Sequence, residues 1–375
     1  MSTRADSGTL DEVASGTQAP GPERAPQRNR RVPYPVVVVS LAVAVLAAIV
    51  VGLAAGSVSL PSGDVAGILA NSVFPGLVEP SWPSTYATIV LDVRLPRVLM
   101  GCVVGAGLAV VGTALQALVR NPLADPFLLG ISSGASLGAV ASLVSGLTFL
   151  GASVTPMFAA FAGSLMALLL VYTLARSGGS MTTTRLVLAG VAVSFVLGAL
   201  TNLLIVTADN PHVVLSIMNW TLGSLGGAQW ETLPVPAVVV LLGIVVVLGR
   251  ARSLNLLFAG EEAAGTMGLD VHRFRMGMFV LVSLMTGVMV AVSGSIGFVG
   301  LMIPHAVRML VGADHRRVLP AAALLGAAFL VVADVAARTV AAPQEIQIGV
   351  LTALCGGPFF VWLLGRQGRQ ERGRA

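Results

Sequence analysis

A chain of 375 residues that is 55% hydrophobic and 10% charged, with 43 glycines, is not built like a soluble domain, in which about a quarter of the residues are charged. Low charge and abundant glycine suit helices that face lipid and pack closely through small residues. All 22 cationic side chains are arginine; without lysine the chain can form neither a Walker A phosphate loop nor a Schiff base, so it cannot hydrolyse ATP with a standard P-loop of its own.

Residues 1–32 are polar, rich in Pro, Gly and Ser, and end in the basic cluster Arg28, Arg30 and Arg31. Such a segment buries too little apolar surface to order itself and reads as a disordered cytoplasmic tail. The first apolar run, Val36 to Val58, is longer than the apolar core of a secretory signal and reads as a retained membrane span. Further runs of spanning length are 98–119, 127–149, 153–175, 186–207, 232–249, 318–338 and 346–365.

The stretch 276–312 carries Arg308 as its one charge and is too long for a single ordinary helix. Arg250, Arg252, Arg273 and Arg275 precede it, and Arg316 and Arg317 follow it. Both clusters belong in the cytoplasm, so an even number of spans lies between them, and two are expected, the second short. The chain therefore reads as an all-α polytopic membrane protein of about ten transmembrane helices with both termini cytoplasmic. A permease domain covers 33–366, with a cytoplasmic loop at 250–275, and 367–375 form a cytoplasmic C-terminal tail. On this topology only Arg94, Arg97 and Arg338 fall on the outer side.

Several residues carry chemistry of their own. Gly105-x-x-x-Ala109-Val110-x-Gly112 matches Gly287-x-x-x-Ala291-Val292-x-Gly294 at an offset of 182, with Pro122 and Pro304 following at the same offset. The two copies begin helices that run in opposite directions, which points to an inverted repeat. From Arg120 to Pro126 the prolines stop helix propagation, and Asn121 and Asp125 suit turn and cap positions. Gln116, inside the second span, reads as interhelical glue in preference to a substrate ligand. Asp334 is the carboxylate deepest in a span, and Arg338, four residues on, is its expected partner. Cys102 and Cys355 read as buried packing residues. The four histidines are scattered, His305 lacks neighbouring ligands, and neither a metal site, a cofactor nor a catalytic cluster is expected.

Four stretches together resemble the FecCD-type permeases of iron-siderophore, haem and cobalamin ABC importers. The first is Arg94-Leu-Pro-Arg97 leading through Gly105 to Gln116, Arg120-Asn-Pro-Leu-Ala-Asp-Pro126 and Leu129-Gly-Ile131. The second is Thr184-Arg-Leu-Val-Leu-Ala-Gly190. The third is Leu257-Phe-Ala-Gly-Glu-Glu262, ending at Met267-Gly-Leu269. The fourth is Gly297-Phe-Val-Gly-Leu-Met-Ile-Pro-His305, followed by Asp314-His-Arg-Arg317, Ala333-Asp334 and Gly349-Val350. Ser295 and Gln347 stand where the family often has proline.

The resemblance implies a pore-forming subunit of the bacterial plasma (inner) membrane that carries a metal chelate, a ferric siderophore first and haem or cobalamin otherwise. It implies a second permease subunit, identical or paralogous, two cytoplasmic ABC ATPases and an extracytoplasmic substrate-binding protein, with lipid around them and no nucleic acid. It assigns Arg94, Arg97 and Arg338 to docking of the binding protein. It assigns Asn121, Pro122, Leu123, Thr183 and Thr184 to the cytoplasmic gate. Gly260, Glu261, Glu262, Gly265, Gly268 and Leu269 fall in short coupling helices seated on the ATPase, with the three glycines as breaks. An ion-coupled secondary transporter is the competing class, and it would need more mid-membrane ionisable groups than Asp334.

Overall fold

The computed structural model describes residues 32–372 apart from 57, 59, 77, 127–129, 148–150, 152–154, 177–182, 209–213, 215–216 and 219. Among the described residues every regular element is helical. In chain order these are α1 (Tyr34–Ala54), α2 (Ser62–Val73), α3 (Ser84–Val119), α4 (Ile131–Ser145), α5 (Thr155–Arg176), α6 (Thr183–Val206) and α7 (Pro234–Gly249). Then come α8 (Ala251–Ala259), α9 (Glu261–Thr266), α10 (Val271–Ser293), α11 (Val299–Val311), α12 (His315–Thr339) and α13 (Ile348–Arg372).

Each expected span holds one of these helices. Six of them are long and apolar enough to cross a bilayer. α7 is shorter and bends by 57° into α8, and α4, α11 and the apolar part of α13 are also short. The difficult stretch resolves into α10 and α11, separated at Gly294, whose φ is 65°. Three features depart from the sequence reading. α2 is an additional helix outside any span, α3 begins at Ser84 instead of 98, and α13 continues helically to Arg372.

The early start of α3 has a local cause. Residues Ile89–Arg94 form a π turn directly ahead of Pro96. A proline has no N–H for the carbonyl four residues back, and the wider turn accommodates its ring without ending the helix.

Hydropathy does not separate core from periphery in this chain, but small residues do. The most apolar window of α3 is 78% buried, whereas that of α1, which is more apolar, is 22% buried. α3 packs antiparallel on α12 through Gly105 and Gly326. A Cβ at Gly105 would lie 2.2 Å from the Gly326 carbonyl oxygen, and one at Gly326 would lie 2.3 Å from that of Gly105. The backbones touch, as in small-residue packing between membrane helices. α4 and α5 pack the same way through Gly134 and Gly163.

The internal repeat has a counterpart in this packing. α3, the second expected span, packs on α12, the ninth; α10, the seventh, packs on α5, the fourth. Exchanging spans five apart turns one pair into the other. Gly287, the repeat partner of Gly105, likewise sits against backbone, with the Phe161 Cα 2.8 Å from a built Cβ. Of the two cysteines expected to be buried, Cys102 is half-buried, and Cys355 is exposed on α13, which has few neighbours within the chain.

Candidate functional site

Three groups of sequence-predicted residues lie at separate places along the bundle. The first is a charge network built on the α3–α12 register, at the residues expected on the outer side. Eight residues, or about two turns, separate Arg97 from Gly105, and Asp334 lies as far from Gly326 on the antiparallel helix. The glycine contact therefore brings the two charges face to face. Arg97 Nε donates to Asp334 Oδ1 at 2.9 Å, and Arg338 Nε lies 3.0 Å from Asp334 Oδ2. Asp334 is 1% exposed. The pairing expected between Asp334 and Arg338 is present, and Arg97 adds a second guanidinium that the reading of α12 alone did not include.

Glu345 completes the network. Arg97 donates from Nη2 to Glu345 Oε2 at 2.9 Å and from Nη1 to Oε1 at 3.3 Å. This is the fork geometry that makes arginine–carboxylate pairs strong and directional. The Glu345 side chain keeps 40% exposure, whereas that of Asp334 keeps 2%.

Arg94 takes a different role. It is buried, and its Nη1 donates at 2.8 Å to the carbonyls of both Leu53 and Ala54, while Nη2 donates to that of Val58. Arg338 reaches the same place, donating to the carbonyls of Ala55 and Gly52 at 3.3 and 3.2 Å. A helix end leaves four carbonyls without intrahelical partners, and cationic donors satisfy them and complement the dipole. Two arginines so placed explain why α1 stops at Ala54 instead of running to 58. Arg94, Arg97 and Arg338 are thus brought close together, and all are buried with internal partners.

The second group is the turn that follows α3. Arg120 ends the helix with φ 52° and ψ 38°, and Asn121 N–H returns to the Gln116 carbonyl at 3.1 Å. This closing bond is the one a left-handed helix end requires. The Asn121 side chain accepts from Leu123 N–H at 2.9 Å, a side-chain turn around Pro122. Leu123 is exposed. Thr184 is exposed at the start of α6, and the side chain of Thr183 lies outside the described residues. One turn before the end of α3, fully buried Gln116 donates to the Gly300 carbonyl at 3.1 Å and accepts from Arg308, which ties α3 to α11.

The third group is the segment between α7 and α10. Gly260 has φ 143° and ψ 150°, a conformation open to glycine alone, and it separates α8 from α9. Gly268 has φ 84° and ends α9, with Leu269 N–H returning to the Ala264 carbonyl at 3.1 Å. Gly265 does not break the chain as expected. It lies inside α9, where its backbone takes part in the helix.

Glu261 is the anchor of this segment. Its Oε1 accepts from Arg275 at 2.8 Å and from Arg120 at 3.2 Å, so α9 is tied both to the base of α10 and to the end of α3. The hydrogen bond from Arg275 holds the Glu261 carboxyl below its ordinary range. Glu262 beside it is exposed. On the other side, Asn255 of α8 donates to Asp314 Oδ1 at 2.7 Å and accepts from His315 N–H at 2.9 Å, which pins α8 to the start of α12. No cluster of three or more His, Cys, Asp or Glu side chains that could hold a metal occurs among the described residues.

Residues 43–366 match the family model described as the FecCD transport family. The chain is 46% identical over 286 residues to the hemin transport system permease protein HmuU of Yersinia pestis, covering 76% of this chain and 85% of that one. It is 46% identical over 283 residues to the cobalamin import system permease protein BtuC of Halobacterium salinarum, covering 75% and 74%. A solved structure described as an inward-facing conformation of a metal-chelate type ABC transporter superposes with a TM-score of 0.76 at 32% identity, covering 89% of this chain and all of that one.

Proposed function

The chain belongs to the FecCD transport family and is a multi-pass inner-membrane permease subunit of an ABC importer for metal chelates; on that premise we propose that its cargo is a ferric siderophore. The observation that carries the transporter class is the extent of the match, which runs from the middle of α1 into α13. The cargo assignment rests on the sequence resemblance to iron-siderophore permeases and on the scarcity of charge inside the spans, which suits a bulky chelate. Haem and cobalamin are the second reading, favoured by what the Yersinia and Halobacterium relatives are named for.

In this reading two permease subunits form the pore, ten helices each, with the termini and the 250–275 segment in the cytoplasm. Two separate ATPases supply the hydrolysis that a lysine-free chain has no P-loop for. Asn121, Pro122, Leu123, Thr183 and Thr184 form the cytoplasmic gate. α8 and α9, bounded by Gly260 and Gly268, with Glu261, Glu262 and Leu269, seat on the ATPase. The ties from Glu261 to Arg120 and from Asn255 to α12 support this, because they connect the segment to the residue just before the gate turn and to the start of α12.

A substrate-binding protein docks at the outer arginine network. Because Arg97 is already engaged, a carboxylate of that protein takes the place of Glu345, the exposed member. Arg94 and Arg338 hold the end of α1 beneath it.

The test is uptake by the assembled transporter in vesicles, with ferric siderophore, haem and cobalamin supplied in turn. Uptake of the siderophore alone, abolished when the ATPase is inactivated, is the expected result. Preference for haem or cobalamin would replace the cargo assignment. Uptake that persists without ATPase and follows an ion gradient would overturn the transporter class.

A further inference from the structure

One feature of the bundle plays no part in the transport scheme. Between the inner ends of α7 and α10 lies a cavity of about 470 Å³. Its rim carries Arg250, Asp270 and Arg273, and its walls are apolar, with Val246 on one side and Met278 and Leu281 on the other. Leu281 lies eleven residues beyond Asp270, so along α10 the cavity reaches roughly 16 Å below its charged rim. A built Cβ at Gly277 meets no atom within 4 Å, so the groove is open at its middle.

The chemistry differs sharply between the two ends. Arg273 is paired with Asp270 at 3.2 Å and is 88% exposed, and Arg250 makes no side-chain hydrogen bond or ion pair among the described residues. Two cations against one carboxylate leave the rim net positive. Below it, the apolar wall continues onto the outer face of α7, where Val238, Leu241, Leu242 and Val245 are all more than half exposed. Such a face, on a helix among membrane spans, meets acyl chains.

We propose that this groove is a binding site for an anionic phospholipid of the cytoplasmic leaflet. The headgroup phosphate sits between Arg250 and Arg273, and one acyl chain runs down past Gly277 to Leu281. Basic pockets between membrane helices at the cytoplasmic side recognise anionic headgroups, and arginine matches phosphate through its planar fork. A polar partner such as an ATPase surface has no use for an apolar slot of this depth. The leaflet assignment rests on the reading that 250–275 faces the cytoplasm. The site would place one lipid at the joint between α7 and the coupling segment.

The experiment is a titration of the full-length chain in neutral detergent with phosphatidylglycerol or phosphatidylcholine, read by native mass spectrometry. Retention of one phosphatidylglycerol in clear preference to phosphatidylcholine is expected. Arg250→Gln and Arg273→Gln should each weaken retention roughly fivefold. Arg250 is exposed, so its substitution leaves the packing intact. Gly277→Leu keeps both arginines but fills the slot, and should weaken retention at least as much. Equal retention of the two lipids, or retention unchanged by Gly277→Leu, would overturn the site. So would competition by glycerol phosphate as effective as the whole lipid, or loss of the lipid when the ATPase subunits bind. Sidedness is measured separately by labelling Leu269→Cys, with Cys102 and Cys355 replaced by alanine, using an impermeant maleimide. Labelling from the outer face would overturn the leaflet assignment while the retention result stands.

Discussion

Arg97 on α3 and Asp334 on α12 lie 237 residues apart in sequence and meet at 2.9 Å because Gly105 and Gly326 let their helices touch two turns away. The carboxylate serves Arg338 as well, so a single buried acid holds two guanidiniums. Asp334→Ala should therefore destabilise the chain by about 3–5 kcal/mol, since it leaves buried Arg338 without a counter-charge and Arg97 with Glu345 alone. Replacing Asp334 and Arg338 together by leucine and methionine should cost less than Asp334→Ala alone, because no buried cation is then left unpaired and Arg97 keeps Glu345. Thermal unfolding in detergent, followed by size-exclusion fluorescence, measures both.

The glycine contact itself is open to test. Gly105→Leu places a side chain where the Gly326 carbonyl already stands at 2.2 Å from the Cβ position. Helices α3 and α12 must part, and Arg97 then loses Asp334. A loss of monodisperse protein is expected, whereas Gly63→Leu, at a position with open space, should leave it intact.

Gly260 and Gly268 adopt backbone conformations that disfavour other residues. Gly260→Ala should introduce strain of about 1–3 kcal/mol, confined to the joint between α8 and α9. The assembled complex should keep its ATPase activity and lose transport in proportion. Unchanged uptake by an assembled Gly260→Trp complex would remove the segment from the coupling role. Gly265→Ala, inside the helical turn, should have little effect.

The Glu261 tie should depend on pH. Its carboxyl is held below the ordinary 4.5, chiefly by the hydrogen bond from Arg275. The tie is then fully formed above that value and is lost as pH falls through the lower folded value. Solvent exposure limits the effect to less than about 1 kcal/mol. Limited proteolysis of the 250–275 segment should speed up on acidification below about 4.5, and Glu261→Gln should proteolyse quickly at neutral pH with less acid dependence.

Glu345 is where the docking proposal can fail. If a carboxylate of the binding protein replaces it on Arg97, then Glu345→Gln should strengthen association several-fold, most clearly at low ionic strength where screening is least. Basal ATPase activity of the complex should not change. Affinity that is indifferent to Glu345→Gln at low salt would assign Arg97 to holding α3 and α12 together and nothing more.

Sequence alone determined what depends on composition and local pattern. The length of the apolar runs located the long helices, because the bilayer sets span length, and the sidedness of arginine carries the proposed ten-span topology, because the inner face collects positive charge. The turn at Asn121 and Pro122 and the glycine ends at 260 and 268 were legible for the same reason: each rests on bonds within a few residues. The pairing of Asp334 with Arg338 was visible because both lie on one helix four residues apart.

Tertiary structure decided which charges meet across helices. Arg94 and Arg97 sit three residues apart, yet one caps α1 and the other holds Asp334 and Glu345. That division depends on how α3 rotates at its π turn and on which glycines abut. The signal was present in the matched intervals from Gly105 to Arg97 and from Gly326 to Asp334, but it has meaning only once α3 and α12 are known to pack antiparallel. Nothing in a one-dimensional pattern states that partnership, because α1, α6 and α12 are all apolar enough to have been the neighbour.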